Sequence, residues 1–276
     1  MPGIKDFRDK VVVITGAGSG IGRATALAFA RHGANLVIAD VRGDRLAEAA
    51  GEVARLGARV ETREVDVSDR AQVEGLARFV MERHSRADIL HNNAGVSITG
   101  SFEHTSLENW EWITGVNYWG TVYGIHYFLP HMIERRCGHI VNTASFMGIC
   151  ATPATTAYCA TKFAVVGLSE ALRAEVRRYN IGVTAICPGV INTRIVADGR
   201  SHLPQDARAS LASVLDFYRK RGWPPERVAN AVLKAVRKDR GIVPVGPEAW
   251  AFWGLKRLSP WAYETAARLS ERLLLH

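Results

Sequence analysis

A short apolar strand, a glycine-rich turn and a helix follow one another at the amino end, and this order constrains the fold most strongly. The strand, Lys10–Thr15, is rich in β-branched residues, which is typical of a buried strand. The turn reads Gly16-Ala17-Gly18-Ser19-Gly20-Ile21-Gly22, and residues 23–30 have helical composition. The arrangement predicts a helix N-terminus aimed at a phosphate. A glycine-rich stretch alone is also consistent with a simple turn.

Strands and helices alternate along most of the chain. Predicted strands cover 10–15, 35–40, 58–65, 87–91, 138–143, 181–187 and 241–245, and predicted helices cover 20–32, 43–57, 69–84, 106–135, 156–180 and 225–238. The alternation predicts a doubly wound, mostly parallel seven-stranded sheet with helices on both faces. Right-handed crossovers place the carboxyl ends of the strands along one edge. Six residues that end or follow strands are expected to converge there: Gly16, Asp40, Asp66, Asn92, Ser145 and Pro188.

Asp40 ends the second predicted strand and bears on the choice of cofactor. An acidic residue at this place accepts hydrogen bonds from the ribose hydroxyls of a dinucleotide and repels a 2′-phosphate, which favours NAD over NADP. One alternative is that Asp40 caps the helix expected near Gly43. Another is that Arg42 pairs with a 2′-phosphate. We predict NAD as the cofactor and keep NADP as the alternative.

Tyr158 and Lys162 lie four residues apart, and Ser145 precedes Tyr158 by thirteen residues. Four residues are about one helical turn, so the phenol and the ammonium are expected on one helix face. A free tyrosine has a pKa of about 10, and a nearby cation favours its phenolate. A nearby serine can hold the oxygen of a reacting carbonyl or alcohol. Taken alone, the pair is more often a surface phenol beside a solvated lysine.

An ordered set of motifs over residues 8–245 resembles the short-chain dehydrogenase/reductase family, in its compact single-domain branch, which has a Rossmann-like fold. The motifs are Thr15-Gly16-x-x-x-Gly20-x-Gly22, Asp66-Val67, Asn92-Asn93-Ala94-Gly95, the tetrad Asn117, Ser145, Tyr158 and Lys162, and Pro188-Gly189-x-x-x-Thr193. The resemblance implies that the tetrad is catalytic. It also implies cofactor contacts from Gly16, Ser19, Gly20, Ile21, Asp40, Asp66, Val67, Asn93, Ala94, Gly95, Tyr158, Lys162, Pro188, Gly189, Ile191 and Thr193.

The resemblance gives each tetrad member an expected role. Tyr158 is the general base in alcohol oxidation and the general acid in ketone reduction, and Lys162 bonds the nicotinamide ribose. Lys162 and the oxidised nicotinamide are expected to lower the pKa of the phenol. Ser145 is expected to hold the substrate oxygen, and Asn117 to fix a water that links Lys162 to solvent. The alternatives are that Ser145 only caps a turn and that Asn117 only satisfies backbone groups.

Residues 1–247 are predicted to form one catalytic domain, in which 190–222 form a substrate lid without a strand. A lipophilic pocket for a secondary alcohol or ketone is predicted beside the tetrad from Val96, Ile98, Trp119, Phe146, Met147 and Ile149; the alternative is that several of these join the core. Residues 248–276 are predicted to be an amphipathic extension whose last helix begins at Pro260. Docking of this extension on its own domain or on a neighbouring subunit is favoured over weak contact with a membrane surface.

Charge and composition argue against several classes of protein. No apolar run reaches the ~18 residues of a membrane span. The first ten residues do not resemble a signal peptide, and four cysteines are expected as free thiols, so a cytoplasmic location is predicted. The net charge is +8, but the basic residues are spread over helix faces, so no nucleic-acid partner is predicted. No residues have metal-ligand spacing, and no metal is predicted.

The family resemblance implies a homodimer or homotetramer built partly from helices 106–135 and 156–180. Small residues at Ala160, Ala164 and Gly167 permit close helix approach, or equally packing on the sheet. Two other functions stay open. One is epimerisation or dehydration with tightly held NAD, whose relatives usually carry a larger substrate domain. The other is a non-catalytic NAD sensor, a class that tends to lose the tyrosine or the lysine.

Overall fold

The computed structural model describes residues 3–202, 208–259, 261 and 263–265, and it describes side chains of the helix at 208–221 only from residue 212 onwards. The strands are β1 (Val11–Thr15), β2 (Asn35–Asp40), β3 (Val60–Glu64), β4 (Ile89–Asn92), β5 (Ile98–Thr99), β6 (Gly138–Thr143), β7 (Ile181–Pro188), β8 (Arg200–Ser201) and β9 (Ile242–Val245). The α-helices are α1 (Gly20–Ala30), α2 (Gly43–Arg55), α3 (Arg70–His84), α4 (Leu107–Thr114), α5 (Gly120–Arg135), α6 (Thr156–Val176), α7 (Arg208–Arg221), α8 (Pro225–Lys238) and α9 (Pro247–Leu258).

Seven strands form one sheet in the order β3-β2-β1-β4-β6-β7-β9, and every neighbouring pair is parallel. The strand order reverses between β1 and β4, which opens a crevice at their carboxyl ends. The predicted fold class is confirmed, and each of the seven predicted strands is present within one or two residues of its expected bounds.

The core lies on both faces of the sheet, which explains why β1 is apolar at every position. Val12 and Ile14 pack with α1, α2 and α8, whereas Val11 and Val13 pack with α3, α5 and α6. Successive strand residues point to opposite faces, so a strand covered on both sides needs a continuous apolar run. Each fully buried side chain of this size contributes about 1.5–3 kcal/mol, so the core fixes the strand ends that carry the motifs.

The structure adds detail to the helix predicted at 106–135. That segment is helical throughout, but a π-helical turn at Gly115–Trp119 separates α4 from α5. Asn117 lies in this turn. A π turn inside an α-helix is often found at a functional site, and its composition does not distinguish it from the helices on either side.

The prediction that 190–222 contains no strand is wrong. Arg200 and Ser201 form β8, which pairs in parallel with β5 at Ile98 and Thr99. A strand of two residues is too short to show an alternating pattern, so its pairing comes from the tertiary fold. The helix α7 covers residues 208–221 of the remaining segment, and residues 203–207 lie outside the described residues.

Candidate active site

The glycine-rich turn packs so closely on neighbouring motifs that side chains would not fit. Gly16 and Gly20 have φ values of 62° and 51°, in the left-handed region that favours glycine. A Cβ added at Gly16 would lie 2.7 Å from the Cα of Ala94, and one at Gly20 would lie 3.1 Å from Cγ2 of Thr193. The turn therefore brings together three of the predicted cofactor motifs.

The side chain of Asn93 fastens its own segment to this turn. Its Nδ2 donates to the carbonyl oxygens of Thr15 and Gly16 at 3.0 and 3.1 Å. In return, Oγ1 of Thr15 accepts from the amides of Asn93 and Ala94 at 3.0 and 3.1 Å. These four bonds fix the turn directly before α1. The side chain of Ser19, which precedes α1, makes no capping bond, so it leaves the first-turn amides to another acceptor such as a phosphate.

Asp40 points back to the glycine turn rather than capping α2. Its Oδ2 accepts from the amide of Gly18 at 2.8 Å, and its Oδ1 accepts from the amide of Arg42 at 2.9 Å. The N-cap residue of α2 is Arg42 itself, so the alternative of Asp40 as that cap is wrong. The guanidinium of Arg42 pairs with Asp44, with Nη2 and Oδ2 2.9 Å apart. The Asp40 carboxylate therefore lies beside the glycine turn while the arginine is turned to a different acid.

Asp66 and Val67 follow β3 and form the next part of the same edge. Oδ1 of Asp66 accepts from the amide and hydroxyl of Ser68 at 2.9 and 2.6 Å. Val67 is buried, and a Cβ added at Gly120 would lie 2.7 Å from its Cγ2. The pair thus orders the turn before α3 and joins it to the start of α5.

Lys162 is almost fully buried, which is unusual for a lysine. Its Nζ donates to the carbonyl oxygen of Thr143 at 3.0 Å and lies 5.6 Å from the centre of the Tyr158 ring. A Cβ added at Gly95 would lie 3.3 Å from Lys162 Nζ and 3.3 Å from Asn117 Oδ1. Burial lowers the pKa of Lys162 to about 8, because desolvation disfavours the ammonium.

Tyr158 is half-buried, and the Ser145 side chain lies close enough to influence the pKa of its phenol. Burial raises the pKa of the Tyr158 phenol above its ordinary value, and the hydrogen-bonding influence of Ser145 opposes that rise. The protein's own groups therefore favour the neutral phenol. Oγ of Ser145 also accepts from the amide of Met147 at 3.1 Å, so Ser145 both caps the turn after β6 and reaches Tyr158.

The side-chain oxygen and nitrogen of Asn117 are hydrogen-bonded to other groups of the protein. Its Oδ1 accepts from the amide of Val96 at 2.8 Å, and its Nδ2 donates to the carbonyl of Val96 at 3.0 Å and to Oγ1 of Thr161 at 3.1 Å. These bonds hold the segment after Gly95 against α6. Satisfaction of backbone groups, which the sequence left as an alternative for Asn117, is thus a feature of the structure.

Pro188 ends β7, and the five residues that follow return to the glycine turn. The amide of Gly189 donates to Val245 at 2.8 Å, Ile191 is buried, and Thr193 contacts Gly20. The motifs named from the sequence therefore lie along one edge of the sheet, as expected from the parallel topology.

Comparison with known proteins identifies the family. The model of the family described as short chain dehydrogenase matches residues 10–204. This chain belongs to the short-chain dehydrogenase family. It is 40% identical over 268 residues to a protein of Mycobacterium tuberculosis named "Probable oxidoreductase EphD", covering 95% of this chain but 45% of that protein. It therefore spans less than half the length of that relative.

Two other comparisons cover nearly whole chains. The "Dehydrogenase/reductase SDR family protein 7-like" of Anopheles gambiae is 36% identical over 94% of this chain and 82% of its own length. A short-chain dehydrogenase/reductase of Burkholderia phymatum, solved in complex with NAD, superposes with a TM-score of 0.86 at 33% identity, covering 92% of this chain and 95% of that one.

An apolar cluster adjoins Tyr158 in this short-chain dehydrogenase. Its buried members are Ile98, Ile113 and Ala157, and half-buried residues packed against it are Val96, Trp110, Trp112 and Tyr158. Two of the predicted pocket residues, Val96 and Ile98, belong to this cluster. Phe146 and Ile149 join a different cluster with Trp253, and Trp119 stacks on Tyr123 while 46% exposed. Trp110 and Trp112 were missed, although their place on the helix that leads to Asn117 was a usable signal.

The described part of the predicted lid is tied to both ends of the site. Arg200 lies over the Trp112 ring, with Cζ 3.9 Å from the ring centre, and bonds Oδ1 of Asn109 at 2.9 Å. Asp198 pairs with Arg45 of α2, with Oδ2 and Nη1 2.5 Å apart. The hydrogen bond to Arg45 lowers the pKa of Asp198. The segment therefore bridges the apolar cluster and the helix that follows Asp40.

Metal clusters and membrane-spanning helices are both absent from the described residues. No group of three or more His, Cys, Asp or Glu side chains there is placed to hold a metal ion. None of the helices described is both long enough and apolar enough to cross a membrane.

Proposed function

We propose that this chain is an NAD-dependent oxidoreductase that interconverts a lipophilic secondary alcohol and its ketone, with Tyr158 as the general acid and base. The observation that carries the proposal is the placement of three reactive groups in one site. The Ser145 side chain lies close enough to the Tyr158 phenol to oppose the rise in its pKa, and Nζ of the buried Lys162 lies 5.6 Å from the Tyr158 ring centre. The alternative of a surface phenol beside a solvated lysine does not fit a lysine that is 2% exposed.

The residues at the strand ends fit a dinucleotide. A Cβ added at Gly18 would lie 3.0 Å from Oδ2 of Asp40, so glycine keeps open the space beside this carboxylate. Asp40 would hold the adenine ribose, the amides that begin α1 would hold the pyrophosphate, and Lys162 would bond the nicotinamide ribose. Pairing of Arg42 with Asp44 supports NAD over NADP, because that arginine is not turned to the place of a 2′-phosphate.

The proton chemistry follows from the burial of the site. In alcohol oxidation, Ser145 holds the substrate oxygen while Tyr158 takes the hydroxyl proton, and in ketone reduction Tyr158 returns that proton. The bound cofactor would accept the hydride as NAD in oxidation and supply it as NADH in reduction. Because burial raises the pKa of Tyr158, the neutral phenol needed for ketone reduction is the resting form. Oxidation needs the phenolate, which the charges of Lys162 and the oxidised nicotinamide would favour, so its rate should rise with pH.

The apolar cluster beside Tyr158 supports a lipophilic substrate. Val96, Ile98 and Trp112 belong to one apolar cluster with Tyr158, while Ser145 and Tyr158 provide polar groups. A pocket lined by such residues would bind a hydrocarbon skeleton by apolar burial and orient one oxygen. A non-catalytic NAD sensor fits less well, because Ser145, Tyr158 and Lys162 are brought together. A carbonyl reductase that uses NADP differs only at the adenine ribose.

We also propose that the chain assembles with further copies of itself through α5 and α6. Ala160, Ala164 and Gly167 are exposed on one face of α6, so the alternative that they pack on the sheet is wrong. Their spacing allows a second helix to approach closely. Weak membrane contact through the extension stays the less favoured alternative, and Pro260 and residues 266–276 lie outside the described residues.

The proposed activity is tested by following NADH absorbance while the protein is mixed with NAD and a panel of lipophilic secondary alcohols, and in reverse with their ketones and NADH. We expect steady turnover with at least one cyclic or long-chain member of the panel. Binding of NADH without turnover of any alcohol or ketone would favour the sensor.

We expect kcat/KM to be about tenfold or more higher with NAD than with NADP, because Asp40 repels a 2′-phosphate. Asp40→Asn removes this charge at almost constant size and should erase the preference. Asp44→Asn removes the same charge from the carboxylate that pairs with Arg42, so it is a control for turnover with NAD alone. It should leave kcat/KM for NAD unchanged, while the released Arg42 can meet the 2′-phosphate of NADP. A wild-type preference for NADP would overturn the assignment of Asp40.

A further inference from the structure

The carboxyl-terminal extension reaches the backbone on both sides of the candidate active site. Glu248, in the first turn of α9, bonds the segment after β7, and Lys256 and Tyr263 bond the loop after β6. We propose that these three residues form a brace that positions the nicotinamide-binding segment and the Ser145 loop. The catalytic meaning of the brace rests on the proposed function.

The Glu248 end of the brace holds one amide. Oε1 of Glu248 accepts from the amide of Val190 at 2.9 Å. A Cβ added at Gly189 would overlap this carboxylate, and one at Gly246 would lie 2.5 Å from Oε1. Glycines on both sides therefore let the carboxylate sit directly against the backbone. This hydrogen bond joins residues 58 positions apart in the sequence, and it fixes the segment after β7 against α9.

The rest of this segment is held by other elements, so Glu248 has a distinct task. The carbonyl of Val190 accepts from the amide of Trp223 at 2.9 Å, and the amide of Asn192 donates to Trp223 at 2.9 Å. The amide of Gly189 donates to Val245 at 2.8 Å. The Val190 amide donates to Glu248, so removal of the Glu248 carboxylate would leave a part-buried donor without its acceptor.

The other end of the brace holds the loop that begins with Ser145. Nζ of Lys256 donates to the carbonyl of Ile149 at 2.9 Å, and the hydroxyl of Tyr263 donates to the carbonyl of Ala151 at 2.8 Å. The same loop packs on α6, where a Cβ added at Gly148 would lie 2.5 Å from the carbonyl oxygen of Lys162. The loop is therefore held between the helix that carries Tyr158 and Lys162 and the extension.

The two ends of the brace act on different halves of the site. Glu248 bonds the segment that meets the glycine turn through Thr193, so it should influence dinucleotide binding. Lys256 and Tyr263 bond the loop of Ser145, so they should influence the order of the substrate side. A general loss of stability would affect both halves together, whereas positioning predicts separate effects.

The first test measures NADH affinity by quenching of protein fluorescence. We expect Glu248→Ala to raise the Kd for NADH about tenfold, equivalent to about 1.4 kcal/mol, because the Val190 amide loses its acceptor. Glu248→Gln should stay close to wild type, since its amide oxygen still accepts from Val190. If Glu248→Ala does not fold, Glu248→Asp, whose shorter side chain withdraws the oxygen, replaces it with the same expectation.

The second test measures hydrogen exchange of residues 146–151 by mass spectrometry. Tyr263→Phe removes one hydroxyl and Lys256→Met removes one ammonium, and each should speed exchange in this loop without changing the Kd for NADH. Leu258→Ala is the matched control, because Leu258 is 89% exposed on the same helix. It should change neither measurement.

Two affinity results would refute the brace: Glu248→Ala that binds NADH as tightly as wild type, or Glu248→Gln that binds as weakly as Glu248→Ala. Unaltered hydrogen exchange at 146–151 in both Tyr263→Phe and Lys256→Met would also refute it. Failure of the proposed function has a different signature. A wild-type chain that does not bind NADH contradicts the proposed function, while the exchange measurements still decide whether Lys256 and Tyr263 hold the loop.

Discussion

Tyr158→Phe is expected to lower turnover by about 10²–10⁴-fold, the range that a positioned general acid or base contributes. The substitution removes the phenolic oxygen and leaves the ring, which packs with the apolar cluster of Ile98, Ile113 and Ala157. Dinucleotide affinity should therefore be unchanged. Turnover is followed by NADH absorbance, and affinity by titration of the same preparation with NADH.

The pH profile of the wild type provides a check on the same residue. Burial raises the pKa of Tyr158, so alcohol oxidation should accelerate as the pH rises and the phenolate becomes accessible. Ketone reduction uses the protonated phenol and should lack this alkaline rise. Activity of Tyr158→Phe at the wild-type level would remove Tyr158 from the proton transfer.

Lys162→Met is expected to lower turnover by about 10²–10³-fold and also to change how stability depends on pH. Burial lowers the pKa of Lys162 from 10.5 to about 8. Between these values the unfolded chain holds a proton that the folded chain has released, so the contribution of Lys162 to the stability of the folded chain increases as pH rises. The shift corresponds to about 3 kcal/mol.

The difference in unfolding free energy between wild type and Lys162→Met should therefore rise by about 3 kcal/mol from pH 8 to 10.5. Taking the difference removes the contribution of the buried thiols and phenols whose pKa is raised, since both proteins contain these groups. Urea unfolding of the two cofactor-free proteins at each pH measures the difference in unfolding free energy. Lys234→Met removes an exposed amine from α8 and serves as the control. A difference that stays flat or falls would show that burial does not lower the pKa of Lys162.

The sheet could be predicted from local sequence because each strand corresponds to a short continuous stretch of residues. The continuous apolar run of β1 required cover on both faces, and Asp40 and Ser145 were expected at the carboxyl edge because parallel strands end together. Lys162 beside Tyr158 followed from helical spacing. The structure confirms each of these placements.

The parts that escaped prediction depend on contacts distant in sequence. β8 exists because Arg200 and Ser201 pair with residues about a hundred positions earlier, and two residues show no period. The π turn around Asn117 has the composition of its flanking helices. The bond from Glu248 to Val190 joins an extension to a motif that, in the sequence, ends well before it. Such contacts follow from the completed fold.

A crystal structure with NADH would test the proposed site most directly. We expect the pyrophosphate against the amides that begin α1, the adenine ribose on Asp40, and the nicotinamide ribose on Lys162, with the Tyr158 hydroxyl beside the nicotinamide ring. A dinucleotide bound elsewhere, or one whose nicotinamide lies far from Tyr158 and Lys162, would contradict the assignment of Tyr158 as the proton-transfer residue.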